Sequence, residues 1–180
     1  ILLLHGSPGS RRDFRRLTPF LARTARVIAP DLPGFGASPH RVADYSIAAH
    51  ARDVHRLLTD LSLQAVHVVG FSMGGGVALE LAPLAPDRVA SVTLLSAIGA
   101  QEMELFGAYR PNRLVHAVQH AGVWGLFNLV PHFGLIRDGG IDVPYARNFY
   151  DTDQRPLRQR LEALEVPALI VHGARDVLVP

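Results

Sequence analysis

Five short apolar runs, separated by stretches of helical periodicity, constrain this 180-residue chain more than any other feature. They lie at residues 1–4, 26–29, 65–69, 91–95 and 168–171. Most are nearly continuous Val, Leu, Ile or Ala, the pattern of strands buried on both faces of a parallel sheet. Between them the period becomes helical. Ser46 is a good N-cap, and Ile47, Ala51, Val54, Leu58 and Leu61 then recur along one stripe. His50 and His55 flank that stripe and read as surface or boundary residues. A second helix is expected from just after Ser72 to about Leu81, closed by Pro83 and Pro86. Such alternation is the signature of βαβ units, so the expected class is α/β with a parallel sheet of about five strands.

The alternation breaks once. Residues 98–166 are too long for a plain connection and hold eight of the thirteen aromatics, Phe106, Tyr109, Trp124, Phe127, Phe133, Tyr145, Phe149 and Tyr150. This stretch reads as a helical cap inserted into the sheet domain. The expected organisation is a core at 1–97, a cap at 98–166 and the core continued at 167–180. The aromatics serve either as cap core or as the wall of an apolar pocket. The apolar stretch 122–136 is broken by Asn128, Pro131 and His132 and is too short to span a bilayer.

Composition removes several chemistries. All 18 basic residues are arginine, so no Walker A lysine, Schiff-base lysine or Ser–Lys dyad is available. There is no cysteine, hence no disulfide, thiol nucleophile or thiolate metal site. The net charge is only +2, and Arg11, Arg12, Arg15 and Arg16 read as a solvated helix face; no nucleic-acid partner is expected. His116 and His120 stand four apart but lack the glutamate of an H-E-x-x-H site, so neither a metal nor another cofactor is expected.

The chemistry concentrates at the ends of the runs. Gly70-Phe71-Ser72-Met73-Gly74 follows the third run and opens a helix, the context a nucleophile elbow requires. There the sharp strand-to-helix turn exposes the serine, and small neighbours let helix and strands approach closely. His5-Gly6-Ser7-Pro8-Gly9 ends the first run, a Pro30–Ser38 turn beginning Pro30-Asp31 follows the second, and His172-Gly173-Ala174-Arg175-Asp176 ends the last. Together and in this order, these four motifs resemble the α/β-hydrolase superfamily.

The resemblance implies Ser72 as nucleophile, the backbone N–H groups of Met73 and Ser7 as the oxyanion hole, and Asp176 as the acid that orients a histidine. Asp31 and the turn after it would be structural, and His5 and His172 turn-stabilising. The rival acid position, after the fourth run, offers no carboxylate before Glu102. Superfamily order is Ser, then Asp or Glu, then His, yet none of the nine histidines follows Asp176. The expectation is therefore a segment cut at both ends, inactive alone, whose complete form hydrolyses carboxylic esters or related acyl substrates, of apolar character, with C–C bond hydrolase and peptidase activity left open. A serine at the elbow argues against epoxide hydrolases and haloalkane dehalogenases. The rival expectation is a binding or receptor-like homologue without turnover. Compartment and oligomeric state leave no mark in the sequence.

Overall fold

A computed structural model describes residues 1–40, 42–101, 108–129, 143–176 and 179. Strands β1 (Leu2–Leu4), β2 (Val66–Phe71), β3 (Val89–Leu95) and β4 (Ala168–Val171) form one parallel sheet in the order β1-β2-β3-β4. The run at 26–29, expected as a strand, contributes a single parallel bridge, Leu2 with Ile28. Pro30 explains the truncation: it has no N–H to donate and it restricts Ala29 before it. Ile28 lies on the far side of β1 from β2, so the chain reverses its direction of sheet-building between β1 and β2. Ligands of open parallel sheets gather at the carboxyl end of such a reversal.

Two helices carry the packing beneath that edge. Helix α2 (Ile47–Asp60) follows a short 3₁₀ turn (Arg11–Phe14) and the four-residue α1 (Thr18–Leu21). The Ser46 hydroxyl caps α2 by accepting from Ala49 N–H at 3.2 Å. Its stripe buries Ile47, Ala51, Val54 and Leu58, while Leu61 is partly exposed. Helix α3 (Met73–Leu84) packs on α2 and β2 and is buried through most of its length. It runs past the expected stop, with Pro83 inside its last turn, where losing one hydrogen bond costs least.

Between β3 and β4 come α4 (Tyr109–Leu129), α5 (Val143–Asp151) and α6 (Arg155–Glu162). Helix α6 packs on α3, with Leu157 buried in the main core and Arg160 paired to Glu80 at 3.4 Å. Helix α4 packs on α5. β4 departs from the pattern of two covered faces: all four of its residues are exposed, Leu169, Ile170 and Val171 by half or more. Among the described residues no helix is long and apolar enough to cross a membrane.

Candidate active site

Strand register places the candidate residues. Leu4 pairs with Gly70, Phe71 with Leu95, and Leu95 with Val171. Gly6, Ser72, Ser96 and His172 therefore leave the sheet at the same level, on its carboxyl edge. Ser72 N–H donates to Leu95 O (3.0 Å) and Ser96 N–H to Val171 O (2.9 Å), which holds that edge in line.

Ser72 is the N-cap of α3 and bends the chain from strand to helix at φ 50°, ψ −118°. A non-glycine residue in that region is strained and persists only where its surroundings impose it. The surroundings are tight. A Cβ on Gly74 would lie 2.1 Å from Leu4 O, so only glycine lets α3 meet β1. On the other side of the serine, a Cβ on Gly6 would meet the Ser72 Cβ at 3.0 Å. Met73, the first helical residue, has an N–H with no intrahelical acceptor, at the positive end of the helix. Ser72, Met73 and Ser7 line one slot of ≈ 10 Å³, room for roughly one water, walled by Ile47, Ile98 and Phe149.

Three buried polar residues complete the slot, Asn148, Thr152 and Gln154. None stands out in the sequence, where they sit inside an ordinary polar run around Asp151 and Asp153. Asn148 and Thr152 are held by tertiary bonds to the start of α2, in a set that also takes in Asp151 and Arg147. Asn148 Nδ2 donates to Tyr45 O (2.7 Å), and Ile47 N–H donates to Thr152 Oγ1 (3.3 Å). Tyr45 N–H donates to Asp151 Oδ2 (3.0 Å), and Arg147 Nη2 donates to Ala43 O (2.9 Å).

Two strands along the edge, Asp176 ends the turn after β4, its N–H donating to Gly173 O at 3.0 Å. Its Oδ1 accepts from Val179 N–H (3.0 Å), and its Oδ2 lies 3.8 Å from His172 Nε2. A cavity of ≈ 220 Å³ lined by Ile98, Gln154, Ile170 and His172 opens beside this turn. It shares Ile98 and Gln154 with the slot at Ser72, so the two spaces adjoin. Two strand spacings separate the level positions 72 and 172, about 10 Å. The rival acid, Glu102, and the cap aromatics Phe106 and Phe133 lie outside the described residues, as does the side chain of Phe127.

The remaining candidates take structural places. His5 is fully buried; its Nδ1–H donates to Gly6 O (2.8 Å) and its Nε2 accepts from Leu32 N–H (2.9 Å). Both nitrogens are committed in the neutral form, and burial lowers its pKa. Asp31 accepts from the N–H groups of Arg11 (2.7 Å) and Ala37 (2.9 Å) and pairs with the Arg11 guanidinium. Burial alone would raise its pKa, but those bonds and the guanidinium outweigh it and hold the carboxyl below its usual range. A Cβ on Gly36, at φ +58°, would collide with that carboxylate. Arg11 makes this pair from an exposed position, and Arg12, Arg15 and Arg16 are exposed as well.

His50 corrects the sequence reading. It is a core residue, fully buried, with its ring 5.7 Å from that of Phe35. Neither ring nitrogen has a hydrogen-bond partner, although the nearby Tyr45 backbone favours the charged form. Burial, helped by neighbouring His5, lowers its pKa to about 4. His116 and His120 stack on Phe149 and Tyr150, each with ring centroids 4.7 Å apart. No cluster of three or more metal-ligating side chains occurs among the described residues.

Residues 1–137 match the family model described as the alpha/beta hydrolase fold. The chain belongs to that family. This α/β-hydrolase fold protein is 30% identical over 202 residues to the uncharacterized hydrolase YugF of Bacillus subtilis, covering all of this chain and 74% of that one. It is 43% identical over 99 residues to a dihydrolipoyllysine-residue acetyltransferase component of the acetoin cleaving system of Cupriavidus necator, covering 55% of this chain and 26% of that protein. A solved alpha/beta hydrolase fold protein from Burkholderia ambifaria superposes with a TM-score of 0.77 at 23% identity, covering 99% of this chain and 74% of the other. The chain spans only about a quarter to a half of the length of several curated relatives.

Proposed function

We propose that the whole protein is a serine hydrolase acting on carboxylic esters or related acyl substrates, with Ser72 as its nucleophile. The observation that carries this is the strained bend at Ser72, placed on the carboxyl edge of the sheet against Gly6, Ser7 and Met73. Ser72 Oγ attacks the acyl carbon and yields its proton to an imidazole. The Met73 and Ser7 amides take the oxyanion, each such donor being worth about 3 kcal/mol of barrier. Collapse expels the alcohol, which takes the proton, and water then releases the acid by the same route reversed. Asp176 orients the imidazole and stabilises its charged form. No step calls for a metal or organic cofactor.

The imidazole is best seated in the ≈ 220 Å³ cavity that adjoins the slot. His5 and His50 are buried beneath the edge, and His172 sits two strands away, about 10 Å, out of reach of a direct proton transfer. In this reading α4 and α5 belong to a cap, with 98–166 as its bounds. Ile47, Ile98 and Phe149 favour an apolar acyl group.

A fluorophosphonate probe tests the assignment. The full-length protein labels, and Ser72→Ala abolishes the labelling; the 180-residue chain alone labels weakly and hydrolyses p-nitrophenyl acetate slowly. A full-length protein that folds and does not label is a binding scaffold, and labelling retained in Ser72→Ala assigns the nucleophile elsewhere.

A further inference from the structure

Helix α4 is amphipathic the wrong way round. The side turned toward the protein carries Asn112 and His116, both buried, with Gln119 and His120 half-buried beside them. The side turned to solvent carries Leu114 (68% exposed), Val118 (66%), Val115 and Leu126, with Gly122 between them and open space around it. Residues 114, 118, 122 and 126 are successive i, i+4 positions, so they form one continuous stripe about four turns long. A stripe of this kind on an isolated soluble helix exposes apolar surface that its buried polar face does nothing to offset.

Area and charge choose among occupants. The outer half of a 21-residue helix offers roughly 450 Å². Two copies packed stripe to stripe would bury about 900 Å² in all, short of the 1,200 Å² or so of a standard stable interface. A lipid surface has no such threshold, because each side chain partitions separately. Residues 109–129 include Arg110 and Arg113 and no Asp or Glu, and Arg110 lies on the exposed side. We infer that α4 rests in the interface of an anionic lipid bilayer, its apolar stripe among the acyl chains and Arg110 at the headgroups. The helix lies on the bilayer and does not cross it.

The protein carries its own reporter, because Trp124, 54% exposed on α4, is its only tryptophan. The 180-residue chain is mixed with phosphatidylcholine vesicles with and without phosphatidylglycerol and followed by flotation and tryptophan emission. The expected result is flotation with the anionic vesicles and emission shifted to shorter wavelength. Val118→Asp should weaken partitioning about tenfold or more, and Arg110→Glu should remove most of the preference for phosphatidylglycerol. Circular dichroism confirms that Val118→Asp folds; should it not, Leu114→Glu one turn earlier takes its place. Ser72→Ala should float as the parent does, which keeps this inference separate from the hydrolase reading. Absence of flotation, or flotation untouched by the stripe substitutions, overturns the inference. So does a lipid-free dimer, seen by light scattering, that Val118→Asp splits, since the occupant is then a second copy.

Discussion

Replacing His50 with leucine should stabilise the protein, and by more in acid than at neutral pH. His50 is fully buried with both ring nitrogens unpartnered. Leaving a buried polar group unsatisfied costs about 1–3 kcal/mol, and leucine fills a similar volume beside Phe35 without that cost. The expected gain at pH 7 is about 1 kcal/mol. Protonation adds the second effect. The folded-state pKa falls from 6.5 to about 4, a difference worth roughly 3 kcal/mol when fully expressed. The unfolded chain binds the proton first as pH falls, so stability is whole above about 6.5 and is lost progressively down to about 4. At pH 5 the wild type should have lost roughly 2 kcal/mol through this residue, and the advantage of leucine should reach about 3 kcal/mol. Urea denaturation followed by circular dichroism at pH 7 and pH 5 measures the gap directly. His5 stays in both proteins, so most of its own titration cancels from the difference. A gap that does not widen in acid, or a leucine variant less stable at both values, refutes the reasoning.

Other outcomes follow from the same geometry. Gly74→Ala drives a methyl into Leu4 O and should cost about 3 kcal/mol or more or yield insoluble protein, read by urea denaturation or by the soluble fraction. Asp31→Asn removes the charge held by Arg11 and by the Ala37 amide and should cost about 1–3 kcal/mol at pH 7. Because the Asp31 pKa is lowered in the folded state, that difference should shrink as pH falls below the usual carboxylate range. Asn148→Ala leaves the Tyr45 carbonyl unpaired, and amides of α5 should exchange faster by a factor equivalent to about 1 kcal/mol, measured by hydrogen exchange.

Local signals in the sequence were legible where one residue's chemistry decides the backbone. Ser46 caps its helix as its type demands, and Gly70 through Gly74 announce a bend whose tightness the coordinates then show. The run at 26–29 has the pattern of a full strand because periodicity ignores what Pro30 does to the ladder. His50 has the pattern of a surface or boundary residue for a related reason. A polar residue beside an apolar stripe normally faces water, and only the approach of Phe35 and the His5 loop, distant in sequence, encloses it. Asn148 and Thr152 could not be singled out, since their partners lie about a hundred residues away at Tyr45 and Ile47. β4 shows the opposite failure: an apolar run promised burial, but its exposure depends on neighbours that its own residues do not specify.

The four bonds between α5 with its following residue and the segment 43–47 tie the roof of the slot to the first turn of α2. On the proposed function, a substrate larger than the resting space would have to slide the helix and the loop together or break the ties one after another. If the whole protein is the serine hydrolase proposed above, substrate size is governed from Tyr45 and Asn148, at a remove from Ser72. On that proposal, variants that widen the range of accepted acyl groups should accumulate at those two positions while residues 70–76 stay unaltered.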